Sequence, residues 1–273
     1  MNNNKFKSNP FNSLNFLIQE ADINNIIKTY NINDFKINNI KLYQTAFIHK
    51  SYCQMKLYEE YENEIKALPL QETSYETMEF LGDSILGYIV CQYIYKRYTE
   101  IYNQDEGFLT KMKNRLVCGE TLAILSDKLG FNKYMVISKH IDDNCDGRNN
   151  KNILEDTFEA FIGALYLDTN DILFVKEFLI NIYEKYIDFT DIIINDTNYK
   201  DQLLRYFQNT FGERPRYNIV KNDDNTYTCD VLKKSGTSED WTEVWVCNDI
   251  GVTKKKAEQN ASKKALIKYG VLN

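Results

Sequence analysis

The chain has 273 residues, 43% of them apolar, enough for one large or two ordinary domains with real cores, so disorder is not the default. No apolar run reaches the length of a membrane span, and the start, "MNNNKFKSNPFNSLNF", lacks the apolar core of a secretory signal. Six scattered cysteines without a CxxC pair and only two histidines argue against a disulfide framework and a histidine-rich metal site, so a soluble intracellular protein (cytosol or nucleus) without membrane contact is expected. The net charge of −6 taken alone argues weakly against nucleic acid, but it has to be divided by domain before it is judged.

Residues 1 to about 35 are Asn-rich, with a short helical pattern around "FLIQEADINNIIKTY". From about Ile37 to Tyr186 the apolar period is helical nearly throughout, punctuated by "TEIYNQDEG" and "IDDNCDGRNN". The polar segment "YEEYENEIKALPLQE" carries one of three prolines and suits a loop or a solvated helix. After "DFTDIIINDTN" the pattern changes. "YKDQLLRYFQNTFG" is an amphipathic helix, "RYNIVKN", "YTCDVLKK" and "WTEVWVCN" read as strands, and "TKKKAEQNASKKALIKYG" closes the chain as a helix. From residue 196 onward there are 13 Lys/Arg and 11 Asp/Glu, 13 − 11 = +2, so the acid lies in the first part.

Two apolar helices carry acids where acids are costly. In "YETMEFLGDSILGYIV", Glu76, Glu79 and Asp83 are spaced by three and four and fall on one stripe. In "NILEDTFEAFIGALYLD", Asp156 and Glu159 stand three apart, and Gly163 continues their stripe as Gly82 lies beside Asp83. Glycine in a packed helix costs about 1 kcal/mol relative to alanine and marks close approach. Two such helices crossing at their glycines would gather four or five carboxylates. A solvated acidic face is the plainer explanation. Against it stand the apolar neighbours and the lack of Lys or Arg within a turn. Clustered carboxylates on apolar helices call for a cation, and oxygen-only ligands favour Mg²⁺ or Mn²⁺, the chemistry of phosphodiester hydrolysis.

"ETMEFLGDSIL" resembles the signature E-x-L-E-F-L-G-D-A-x-L of the ribonuclease III endonucleases, and "ILEDTFEAFIGALYLD" resembles their second acidic motif. "AFIHKSY" and "DEGFLTKMKNRLV" are similar to two further motifs in the family's order. The resemblance implies that Glu79, Asp83, Asp156 and Glu159 are metal-binding and catalytic carboxylates, with Glu76 and Glu106 as secondary catalytic acids. It also implies Mg²⁺ as cofactor, replaceable by Mn²⁺, no small-molecule cofactor, and a homodimer in which Phe80 is core or interface. His49 reads as a structural hydrogen-bonding residue. Thr77, where Arg is common, and a long stretch between Tyr52 and Glu76 depart from the pattern.

The α-β-β-β-α order at the end of the chain resembles the double-stranded RNA-binding domain, which recognises A-form shape. Thr253 reads as the N-cap of the last helix, so Lys254, Lys255 and Lys256 occupy its first turn. Cations there oppose the helix dipole unless a phosphate is bound. These lysines and Arg205 are the expected RNA contacts, although Leu204-Arg205 stands where Gln or Glu is usual and "NDDNTYT" lacks the usual loop pattern. The expected architecture is an N-terminal extension (1–35), an all-α ribonuclease III endonuclease domain (36–190) and a small α+β double-stranded RNA-binding domain (197–272). The implied function is a Mg²⁺-dependent endoribonuclease on double-stranded RNA, leaving 5′-phosphates, 3′-hydroxyls and short 3′ overhangs. A non-catalytic RNA-binding relative on the same fold is the rival, but such relatives lose acids that this chain keeps. An unrelated metal-binding helical bundle would leave the basic terminal domain unexplained.

Overall fold

The computed structural model describes every residue except 1–8, 31, 33–34, 195–197, 237–240 and 273. The chain divides into two compact units, Met1–Phe189 and Thr190–Asn273. The expected extension and the expected boundary near residues 190–197 therefore lie partly outside the described residues.

The first unit is helical: α1 (Glu20–Lys28), α2 (Ile40–Ala46), α3 (Glu76–Ile94), α4 (Glu106–Leu116), α5 (Gly119–Lys128), α6 (Lys139–Cys145), α7 (Lys151–Thr169) and α8 (Ile172–Tyr186). Local sequence sets the starts. The side chains of Asn39, Asp105, Ser138, Asn150 and Asp171 each accept a hydrogen bond from a backbone N–H of the turn they precede. Helix α7 is the centre of the core. Phe161 meets Tyr43, Phe47, Phe131 and Phe178 at ring-centroid distances of 5.7, 6.1, 4.8 and 5.9 Å. Because neighbours surround it, its sequence is apolar nearly all round rather than on one stripe.

At the end of α7, buried Asp168 accepts hydrogen bonds from the backbone N–H groups of Asn38 (3.1 Å) and Asn39 (2.6 Å) and from the Tyr43 hydroxyl (3.0 Å). These charge-assisted bonds compensate its burial and fasten the start of α2 to α7. From Asn9 onward the Asn-rich amino-terminal segment packs into this unit. Phe11, Ile18, Ile23, Ile27 and Tyr30 are buried, and the Asn12 and Asn15 side chains donate to the Ile137 carbonyl. The stretch between Tyr52 and Glu76 is a loop with one 3-10 turn, Lys56–Tyr58. Reciprocal backbone bonds between Tyr52–Gln54 and Gln71 clamp its base, and the Tyr52 hydroxyl donates to the Leu68 carbonyl at 2.6 Å.

A short helix, α9 (Phe189–Ile194), begins where the first unit ends. The second unit follows the order α10 (Tyr199–Phe211), β1 (Arg216–Lys221), β2 (Tyr227–Gly236), β3 (Trp241–Gly251) and α11 (Lys254–Lys268). The strands form an antiparallel meander in the order β1-β2-β3, with a bulge between Val231 and Leu232. One core joins Cys229, Val231, Val246 and Cys247 of the sheet to Leu203 and Phe207 of α10 and to Ala257, Ala261 and Ala265 of α11. The alanines let α11 lie against the sheet so closely that a Cβ on Gly251 would stand 2.3 Å from the Ala257 nitrogen.

Candidate active site

Helices α3 and α7 cross on their glycines. A Cβ built on Gly82 would stand 1.8 Å from the Glu159 carbonyl oxygen, and one on Gly163 would stand 2.3 Å from the Met78 carbonyl oxygen. Neither position has room for any other side chain, so the two backbones touch and the acids flanking the glycines converge. Glu159 is buried, Glu79 and Asp156 are half-buried, and Asp83 is exposed. The acids therefore grade from a buried floor at Glu159 to an open rim at Asp83.

The electrostatics show how close the acids are. Burial raises Glu159 to about 8, helped by the negative charges of Asp83, Glu155, Glu79 and Asp156. Glu79 is raised to about 7 by burial and by Asp156 and Glu76. Asp156 is also pushed up, chiefly by burial, against a hydrogen bond from the Tyr75 hydroxyl that favours its charged form. Mutual repulsion among partly buried carboxylates, only partly offset by Lys50, marks an anionic site. Glu79, Asp83, Asp156 and Glu159 are thus brought together.

Glu76 and Glu106 take other positions. Glu76 is exposed and its Oε1 lies 2.9 Å from the Lys50 ammonium, which holds its carboxyl below the usual range. Local spacing offers no cation to the acidic stripe; Lys50 arrives from 26 residues upstream, a contact that periodicity cannot reveal. Glu106 opens α4, exposed, with Oε1 accepting from the Thr110 hydroxyl at 3.0 Å.

Sequence reasoning passed over Glu155. It is half-buried, its own pKa is raised by burial and by Asp156 and Asp83, and its carboxylate packs so tightly on Gly119 that a Cβ there would meet Oε2 at 2.1 Å. Its spacing of four from Glu159 was the available signal. His49 is neutral, lowered to about 4 by burial and by Lys50. Its Nδ1 accepts from the Ser51 backbone N–H at 3.1 Å, so it serves as a hydrogen-bonding residue of the motif.

The donor set fits a hard divalent cation: all carboxylate oxygens, an excess of acid that Lys50 only partly offsets, and an open rim. Among the described residues, no three of the His, Cys, Asp and Glu side chains already stand as a ready ligand shell.

Outside this site, two surfaces stand out. Phe80 and Tyr88 on α3 and Tyr95 in the π-helical turn that follows it (Tyr95–Glu100) are 78%, 56% and 52% exposed, so Phe80 is not part of the chain's own core. On α11, the Thr253 hydroxyl accepts from the Lys256 N–H at 3.1 Å, and Lys254, Lys255 and Lys256 are exposed in the first turn. Arg205 on α10 is ion-paired with Asp201 at 3.1 Å. No helix among the described residues is long and apolar enough to cross a membrane.

Residues 39–182 match the family model described as ribonuclease-III-like. The chain is 33% identical over 272 residues to a probable ribonuclease 3 of Acanthamoeba polyphaga mimivirus, covering 97% of this chain and 45% of that protein. It is 31% identical over 251 residues to ribonuclease 3 of Borreliella afzelii, covering 91% of each. The crystal structure of the nuclease domain of ribonuclease III from Campylobacter jejuni aligns with a TM-score of 0.48 at 22% identity, over 62% of this chain and 97% of that one.

Proposed function

Because the chain belongs to the ribonuclease III family of endoribonucleases, we propose that it hydrolyses phosphodiester bonds in double-stranded RNA at the α3–α7 acids, with Mg²⁺ or substituting Mn²⁺. The observation that carries this reading is the glycine-on-glycine crossing, which gathers acids whose repulsion raises Glu79 and Glu159. Glu79, Asp83, Asp156 and Glu159 would hold the ions. When bound, a pair of such ions supplies a nucleophilic water and stabilises the leaving oxygen. The buried Glu159 excludes solvent from the floor, while the exposed Asp83 leaves the rim open to a phosphate backbone. Water adds to phosphorus as the P–O3′ bond breaks, leaving a 3′-hydroxyl on one product and a 5′-phosphate on the other. Glu76, paired with Lys50, and Glu106 act at the margin rather than on the floor. Incubation with a defined duplex followed by end analysis tests this chemistry. Ligatable 5′-phosphates with short 3′ overhangs are expected, and 5′-hydroxyl or cyclic-phosphate ends would refute it.

Short overhangs require two sites facing one duplex, hence a homodimer. The exposure of Phe80, Tyr88 and Tyr95 supports α3 as the two-fold interface, since apolar patches of this kind mark association surfaces. Sedimentation should report a dimer, and Phe80→Ala should shift it toward monomer. A strict monomer that still cuts both strands would contradict this.

The second unit is proposed to be the double-stranded RNA-binding domain. A phosphate at the start of α11 would join three lysines and free backbone N–H groups, turning an unfavourable dipole interaction into a favourable one. The triple change Lys254→Ala, Lys255→Ala, Lys256→Ala should weaken duplex binding similarly for all sequences. It should also flatten the log–log salt slope by about 0.7–0.9 per lost contact. Cleavage should recover at low salt. An unchanged slope would make the run a solvated face.

A further inference from the structure

We infer that Tyr75 is a positioning residue: its hydroxyl fixes the Asp156 carboxylate in the orientation that grips a divalent cation. This rests on the metal-site reading above. The hydroxyl donates to Asp156 Oδ2 at 3.0 Å, across the junction of α3 and α7. Tyr75 is 2% exposed and stands immediately before α3, where its backbone N–H donates to the Ile48 carbonyl at 2.9 Å.

Its ring is held from the other side. The His49 ring lies beside it at 5.8 Å. His49 Nδ1 is hydrogen-bonded to the Ser51 hydroxyl at 2.8 Å, and that hydroxyl accepts from the Ser138 backbone N–H at 3.0 Å. His49 in turn donates its backbone N–H to the Val136 carbonyl at 3.0 Å. Two other segments, residues 48–51 and 136–138, thus set the position of one phenolic oxygen, and that oxygen touches a carboxylate of the site.

A ligand carboxylate that accepts a bond from a fixed, buried donor loses rotational freedom before the ion arrives. Groups of this kind typically account for 10–100-fold in metal affinity. The phenolic O–H is the group that carries the hydrogen, so Tyr75 is the donor of this bond and the Asp156 carboxylate its acceptor. A packing role alone would need the ring and not the oxygen.

Tyr75→Phe separates the two, since it removes one oxygen and keeps the ring. The probe is Mn²⁺ alone, titrated into the full chain without RNA, with free ion followed by electron paramagnetic resonance. Tyr75→Phe should raise the Mn²⁺ dissociation constant by about tenfold or more. Added to Asp156→Asn it should change nothing further, because the hydroxyl acts through that carboxylate. An affinity unchanged by Tyr75→Phe, or an equal loss with and without Asp156→Asn, overturns the proposal. If Tyr75→Phe fails to fold, Ser51→Ala decides: a smaller loss of affinity is expected, and no loss overturns it. If Asp156→Asn itself leaves Mn²⁺ binding at the wild-type level, the metal-site reading fails, and this proposal with it.

Discussion

Glu159→Gln is expected to abolish cleavage while leaving duplex binding within about threefold of wild type, the loss being about 10³-fold or more, or about 4 kcal/mol of transition-state stabilisation. The change conserves shape and removes one charge from the floor of the site, whereas the lysines of α11 belong to the other unit. The same substitution should stabilise the metal-free fold. In the unfolded chain a glutamate ionises near its ordinary value, but in the folded chain Glu159 holds its proton up to about 8. A raised folded pKa contributes stability that is fully present below the unfolded value and lost as pH rises through the folded one. Wild type should therefore fall behind Glu159→Gln as pH rises from about 4.3 toward 8, and not at lower pH. Cleavage of labelled duplex, a gel-shift assay and melting curves in chelator test both halves. A variant that loses cleavage yet melts lower at pH 8 would mean that Glu159 supports the fold rather than strains it.

Gly82→Ala is the second large effect. Its added methyl would sit 1.8 Å from the Glu159 carbonyl oxygen and 3.0 Å from the Gly163 nitrogen, and backbone cannot step aside as a side-chain tip can. Overpacking of a fitted core costs about 1–3 kcal/mol, and a backbone clash belongs at or above the upper end. For a unit of this size that lowers the melting midpoint by about 10 °C. Forcing α3 from α7 also separates the acids, so cleavage should fall with stability. Gly107→Ala in α4 is the control, because its methyl would meet only an Asp105 oxygen at an ordinary 3.5 Å. It should be neutral or stabilising by up to about 1 kcal/mol, from helix propensity alone. Equal melting points for the two variants would mean that the helices do not cross on Gly82.

Much of this site was legible in the sequence because helical spacing is a local property. Glu79, Asp83, Asp156 and Glu159 announce themselves as acids on apolar helices, and Gly82 and Gly163 announce the crossing. What stayed hidden depends on distance along the chain. The Lys50–Glu76 pair spans 26 residues and the Tyr75–Asp156 bond spans 81, and no periodicity encodes either. The amino-terminal segment was obscured by composition. The Asn-rich sequence shows the helical pattern but not the partners: the Asn12 and Asn15 amides satisfy the buried Ile137 carbonyl while Ile23 and Ile27 enter the core. Strand β2 runs on past Lys234 to Gly236 and β3 past Asn248 to Gly251, since ladder pairing continues at Ser235 with Thr242, Gly236 with Trp241 and Tyr227 with Gly251 where the sequence pattern has stopped. The stretch between Tyr52 and Glu76 reads as either a loop or a solvated helix; it is a loop, clamped by backbone pairing at Gln71, and its solvated middle has no apolar stripe to bury.

Strand scission of a long, end-labelled RNA duplex by the full chain, with its separated single strands alongside, in Mg²⁺ and in chelator, tests the central claim most directly. The site described here predicts defined shortening of the duplex in Mg²⁺, none in chelator, and little action on the single strands. An intact duplex at saturating Mg²⁺, or the same cutting in chelator, would contradict it.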